Sequence, residues 1–207
     1  MPRMTGHRLG QSTFVTSHKE HSSSMPVRFP ARVLSSKTVF KGKVFQVTVD
    51  RIVEPGGVTA ERDVVHHNGS VVVLPHLAND CILLVRQFRY PVRESLWELV
   101  AGGIDPGETP LQAAARELLE ETGYRARTFR PILKFYSSPG FLTEQMHLIE
   151  AFNLTPGKAQ REPDERIQTR TFSIAKLKEM VRTKRIKDGK TLVALFWLFQ
   201  KEPGGRP

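Results

Sequence analysis

From Thr38 onward, hydrophobic and polar positions alternate. Val39 and Phe40, then Val44-Phe45-Gln46-Val47-Thr48-Val49-Asp50, follow the period of two that predicts a strand. Pro55-Gly56-Gly57 is a turn signal, and Val58 to His67, with apolar Val64 and Val65, predicts the returning strand, so residues 38–67 are expected to form a β-hairpin. Asn68-Gly69 leads into Ser70-Val71-Val72-Val73-Leu74-Pro75, and Asn79-Asp80 leads into Cys81 to Phe88. Both runs are apolar enough for central strands. Leu96 to Ala101 predicts a short strand, Thr128 to Tyr136 and Met146 to Phe152 two more, and Thr169 to Phe172 a last one. The spacing turns helical over Ile174 to Arg182 and over Thr191 to Gln200, where Leu192, Leu195, Phe196, Leu198 and Phe199 predict a broad buried face.

Between the strands lies one further helix. Thr109 is a favoured N-cap, Pro110 suits the first helical position, and Gly123 ends the run. Leu111, Ala114 or Ala115, and Leu118 give it a narrow apolar face. Glu117, Glu120 and Glu121 stand at i, i+3 and i+4 and share one stripe. Like charges at those offsets repel by roughly 0.2–0.5 kcal/mol per pair, and Arg116, four residues before Glu120, is expected to neutralise only that one. A divalent cation is the economical remaining counter-ion. A donor set of carboxylates alone suits Mg²⁺, or Mn²⁺ in its place, rather than zinc. The plain alternative is a solvated acidic helix face.

Strands interrupted by one central helix and closed by two more predict an α/β (α+β) fold, a mixed β-sheet sandwiched between helices, with an N-terminal antiparallel β-hairpin extension. The 207 residues, 39% of them hydrophobic, suffice for one substantial core. A single domain over 38–202 is expected, with its hairpin at 38–67 and its core at 68–202, and a flexible C-terminus at 203–207. Residues 1–37 are rich in Ser, His and Arg without hydrophobic periodicity and read as a disordered basic tail. Six basic side chains against Glu20 alone give this tail half of the net charge of +10. That leaves little argument for a nucleic-acid partner, and no helix-turn-helix, zinc-finger or aromatic RNA-binding signature is present. Cys81, the one cysteine, excludes an intrachain disulfide. Its apolar run predicts a buried thiol and fits the cytoplasm. No apolar run reaches the ~18 residues of a membrane span, so no membrane association is expected.

The arrangement Gly102, then Glu108, then Arg116-Glu117-Leu118-Leu119-Glu120-Glu121-Thr122-Gly123-Tyr124 resembles the Nudix box, the signature of the Nudix hydrolases. Tyr124 alone departs, in a slot usually aliphatic. The resemblance implies the same sandwich and assigns metal ligation to Glu117, Glu121 and Glu120, with the backbone carbonyl of Ala101 as a further donor. It also implies that Arg116 orients these groups and that Glu108 braces the loop. The catalytic base of such proteins often lies outside the box. Here Glu165 is the favoured candidate and Glu162 and Asp164 are alternatives, in an acidic loop where Pro163 replaces the usual acidic residue.

Pro139, fifteen residues after Tyr124, resembles the marker of the ADP-ribose pyrophosphatase subgroup, as do the segments 86–91, 97–102 and 190–195. This implies cleavage of ADP-ribose, or of a related nucleoside diphosphate sugar, to AMP and a sugar phosphate. Arg62, Arg89, Glu98 and Pro139 are then candidates for substrate binding, since arginine grips phosphate oxygens in a fork. Phe40 or Phe45 could stack on adenine, although core packing is the stronger expectation. The subgroup also implies a homodimer paired through exchanged N-terminal strands. Alternatives are a Nudix hydrolase of GDP-mannose, dinucleoside polyphosphates or capped RNA, or a non-catalytic ADP-ribose sensor. His66 and His67 are adjacent on a strand and point to opposite faces, so they do not chelate one ion. Gly189-Lys190-Thr191 lacks the earlier glycine of a phosphate loop.

Overall fold

Period-two alternation in the first half of the chain builds two sheets. In the computed structural model, which describes residues 31–159 and 166–201, β1 (Arg32–Lys41), β2 (Gln46–Val53) and β3 (Thr59–His66) form an antiparallel sheet in that order. The turn at Pro55-Gly56-Gly57 closes through Glu54 N–H to Val58 O at 2.8 Å and Gly57 N–H to Glu54 O at 2.9 Å. The first strand begins at Arg32, six positions before the expected Thr38, so residues 32–37 belong to the extension rather than to a tail. Every residue of β1 is exposed, and a strand with no buried face leaves no alternation to read. Residues 1–30 and 202–207 lie outside the described residues.

The second sheet contains β4 (Ser70–Leu77), β5 (Cys81–Arg89), β6 (Glu94–Glu98), β7 (Val100–Gly103), β8 (Arg125–Tyr136), β9 (Gln145–Thr155) and β10 (Gln168–Ser173). Its order is β10-β5-β4-β9-β8, with β6 pairing to β5 and β7 to β4. The β4 and β9 strands run parallel, and the other pairs are antiparallel. Alternate residues of β4 serve opposite layers. Val72 and Leu74 pack with Leu177 and Met180 of α2 (Ile174–Arg182) and with Leu195 and Leu198 of α3 (Gly189–Lys201). Val71 and Val73 pack with Ala113, Ala114 and Leu118 of α1 (Pro110–Thr122). Helices thus cover both faces of the sheet, the sandwich expected for a nearly continuous apolar strand.

Some side chains depart from their expected places. The strand expected over 96–101 is two strands, because the chain changes partner at Leu99, which is fully buried and donates its N–H to Thr191 Oγ1 at 2.8 Å. Leu111 and Phe196 are exposed, since α1 seats on its alanines and α3 on Ala194, Leu195 and Leu198. Phe40 and Phe45 are not in the core. Both are exposed and pack on each other with ring centroids 5.5 Å apart. Cys81 is half-buried, because it opens β5 just after a turn held by positive φ at Asn79 and Asp80, and its thiol donates to Asn79 O at 3.4 Å. Among the described residues, no helix is long and apolar enough to cross a membrane.

Candidate active site

The site forms where β7 meets α1. The helix starts with a capping box: Thr109 Oγ1 accepts from Gln112 N–H at 3.3 Å, and Gln112 Oε1 accepts from Thr109 N–H at 2.9 Å. Pro110 follows, and Gly123 ends the helix in the left-handed region (φ 78°) with its N–H on Leu119 O at 2.8 Å. These caps fix the phase of the three glutamates. Glu117 and Glu121 fall on the side of α1 that also carries Ala114 and Leu118, and so face inward. Glu121 is only 3% exposed and the Glu117 side chain 13%, whereas Glu120 lies at the rim. A solvated acidic face is thereby excluded for Glu117 and Glu121. Gly102 of β7 makes the inward placement possible: a Cβ there would collide with the Glu117 carboxylate.

Arg116 ties this stripe together more extensively than helix spacing predicts. Its Nε and Nη2 donate to Glu108 at 3.0 and 2.9 Å, and its Nη1 donates to Glu117 at 2.6 Å and to Glu120 at 3.1 Å. Nη2 also reaches Gly103 O at 2.9 Å. Arg116 therefore bridges three carboxylates, one of them on the preceding loop, where i+4 counting does not reach. Those hydrogen bonds, Glu108 first, push its guanidinium pKa up despite desolvation. In return Arg116 holds the Glu108 carboxyl below its ordinary value. Glu108 Oε2 also accepts from Asp105 N–H at 3.2 Å, which braces the loop.

A second network lies beside the first. Arg89 donates from Nε and Nη2 to both oxygens of Glu98, at 2.8 and 2.7 Å. Glu98 is fully buried, and Lys190 at the start of α3 closes on its Oε2. Lys190 also meets Asp188 Oδ1 at 2.9 Å, and Asp188 Oδ2 accepts from Thr191 N–H and Oγ1 at 3.0 and 2.6 Å. Glu98 thus sits beneath Arg89 as a strut. Sequence reasoning misses the pairing of Lys190 with Glu98, 92 positions away; along the chain Lys190 shows only in the segment 190–195 and in the Gly189-Lys190-Thr191 run.

A cavity of about 590 Å³ gathers Arg89, Ala101, Gly102, Arg116, Glu117, Glu120 and Glu121, together with Lys43 and Val44 from the turn between β1 and β2. Arg62 is not among its lining residues; it pairs with Glu54 and donates to Glu61 O at 2.9 Å within the first sheet. Pro139 is exposed in the loop after β8. That loop is stitched to β3 by Val65 N–H to Phe141 O at 2.7 Å and Thr143 N–H to Val65 O at 2.9 Å. His66 and His67 make separate contacts, Nε2 with Thr48 Oγ1 at 2.9 Å and Nδ1 accepting from Gly69 N–H at 3.0 Å. Glu162, Asp164 and Glu165 lie outside the described residues.

Among the described residues, no three acidic, imidazole or thiol groups already converge with metal-ligand spacing. The donor chemistry nevertheless suits a hard cation: Glu117, Glu120, Glu121 and the Ala101 carbonyl offer only oxygen. The missing Cβ of Gly102 leaves a cradle for the Glu117 carboxylate against β7.

Residues 66–195 match the family described as NUDIX domain. The chain belongs to the Nudix family. The match takes in β4 through most of α3 and leaves nearly all of the first sheet outside it. The chain is 34% identical over 173 residues to the ADP-ribose pyrophosphatase of Bacillus subtilis (strain 168), covering 83% of this chain and 94% of that one. It is 33% identical over 176 residues to the methanol dehydrogenase activator of Bacillus methanolicus, covering 84% and 95%. A crystal structure of an ADP compounds hydrolase superimposes with a TM-score of 0.76 at 22% identity, covering 86% of this chain and 98% of that one, which shows that the two share a fold.

Proposed function

We propose that this Nudix protein hydrolyses the diphosphate bond of ADP-ribose or a related nucleoside diphosphate sugar, giving AMP and a sugar phosphate, with Mg²⁺ as its cofactor. The observation that carries the reading is the shared cavity, lined by three glutamates of one helix, by Ala101 and by the braced Arg89. The similarity to an ADP-ribose pyrophosphatase along nearly its whole length supports the substrate class. Bound to Glu117, Glu120, Glu121 and the Ala101 carbonyl, Mg²⁺ would neutralise phosphate charge and acidify a water molecule. The chain's own residues do the rest. Arg116, anchored on the loop carboxylate Glu108, holds Glu117 and Glu120 in place. Arg89 presents its guanidinium to the diphosphate, and Glu98, buried beneath it, fixes its orientation. The acidic loop supplies the base, Glu165 in the first instance and Glu162 in the second.

The test is to incubate the purified full chain with Mg²⁺ and ADP-ribose, in parallel with GDP-mannose, a dinucleoside polyphosphate and capped RNA, and to follow the products. AMP release from ADP-ribose at the highest kcat/KM of the panel is expected. Tight binding of ADP-ribose without AMP release would replace the enzyme by a sensor.

The exposed first sheet supports the further proposal of a homodimer. Val33, Leu34 and Val39 are apolar and exposed on β1, an edge strand whose outer hydrogen-bonding groups invite pairing. Light scattering should report twice the chain mass at micromolar concentration, and a monomer there would refute strand exchange. The single cysteine supports a cytoplasmic location.

A further inference from the structure

Among the described residues three cations line the cavity, and two already form ion pairs. Arg116 holds Glu108, Glu117 and Glu120, and Arg89 is locked onto both oxygens of Glu98. Lys43 lies outside the matched family region, on the turn that joins the first two strands. Among the described residues it makes no ion pair. The turn is held in shape: Gly42 N–H donates to Phe45 O at 2.9 Å, and the rings of Phe40 and Phe45 pack across it. The sheet is fixed to the core through the Val65 hydrogen bonds to Phe141 and Thr143. Its lysine is thereby presented to a cavity whose other wall is acidic.

An anion entering that cavity meets Glu117, Glu120 and Glu121, so its charge calls for a cation beyond Arg89 that these carboxylates have not already claimed. We infer that Lys43 is a substrate-binding residue that engages a phosphate oxygen of a nucleoside diphosphate, making the N-terminal extension a working wall of the site. This deepens the proposed function and rests on it for the identity of the substrate. An ammonium on a four-carbon stem suits the task, since it can follow a phosphate oxygen without the fixed geometry of an arginine fork. The contact forms in ground state and transition state alike, so its loss should appear in KM and leave kcat nearly unchanged.

ADP serves as the probe, titrated calorimetrically in EDTA so that no divalent cation contributes, against wild type, Lys43→Ala, Lys43→Arg and Lys41→Ala. Lys41 is exposed in the same sheet but does not line the cavity, and it controls for general surface charge. Lys43→Ala should weaken ADP roughly tenfold. Lys43→Arg should recover most of that loss, and Lys41→Ala should have no effect. With ADP-ribose and Mg²⁺, the KM of Lys43→Ala should rise by a similar factor. Equal ADP affinity in wild type and Lys43→Ala, or an equal loss in Lys41→Ala, would overturn the inference while leaving hydrolysis intact. Absence of AMP release by wild type, together with weakened ADP binding by Lys43→Ala, would support this residue while removing the hydrolytic reading.

Discussion

Replacing Glu117 and Glu121 together by Gln is expected to abolish AMP release, by at least roughly a thousandfold, while the protein remains folded. The amide keeps the size and shape of the carboxylate, so packing against Ala114 and Leu118 persists. What disappears is the negative charge that a hard cation requires. Two measurements are needed: turnover with saturating Mg²⁺ and thermal unfolding of the variant. Undiminished turnover in a folded double variant would remove the metal role of these residues. Gly102→Ala tests the same geometry without altering either glutamate. The added methyl collides with the Glu117 carboxylate, and displacement of that group by about an ångström should cost on the order of a hundredfold in turnover.

Glu98→Gln is expected to destabilise the fold by about 3 kcal/mol, read from urea unfolding at neutral pH. A buried carboxylate between two cations costs little while all three are charged, but its loss leaves Arg89 and Lys190 facing each other with only an amide between them. The pH dependence follows from the same network. Burial pushes the Glu98 carboxyl up, but the Arg89 hydrogen bonds and the Lys190 charge outweigh it and hold the carboxyl below its ordinary 4.5. A depressed folded value means that this stabilisation is fully present above 4.5 and fades as the pH drops below it. The stability gap between wild type and Glu98→Gln should therefore stay constant from neutrality down to that point and narrow further into acid, where protonated glutamic acid and glutamine become alike. A gap unchanged at pH 3 would show that the native Glu98 carboxyl titrates as it does in the unfolded chain, with no net stabilisation of its charge by Arg89 and Lys190.

Some of this was legible along the chain. The helix carrying the glutamates announced both of its ends through Thr109, Pro110 and Gly123, and β4 declared itself by an apolar run with no solvent face. The two closing helices were equally plain. What escaped had no local signal. In β1, Ser35-Ser36-Lys37 are polar residues of a strand exposed on both faces, and a sheet without a buried side imposes no alternation. Leu111 belongs to the expected apolar face of the helix, yet α1 approaches the sheet on Ala113 and Ala114, small residues that let the backbone come close. Glu98 is a substrate-binding candidate on the resemblance, and its burial has no signal along the chain. Its buried setting depends on Arg89 and Lys190, brought in by β5 and α3. Arg116 illustrates the same limit, since Glu108 is its neighbour only because the loop folds back.

The parallel pairing of β4 with β9 has a kinetic consequence. It joins residues more than seventy positions apart, Ser70 with Met146 and Pro75 with Ala151, and closing so long a span costs chain entropy before any contact repays it. The hairpins can form early on their own, but the strand against which α1 rests gains its second neighbour only when that closure is made. Refolding should therefore be slow for a chain of this size, and catalytic competence should return with the last phase rather than with the first secondary structure.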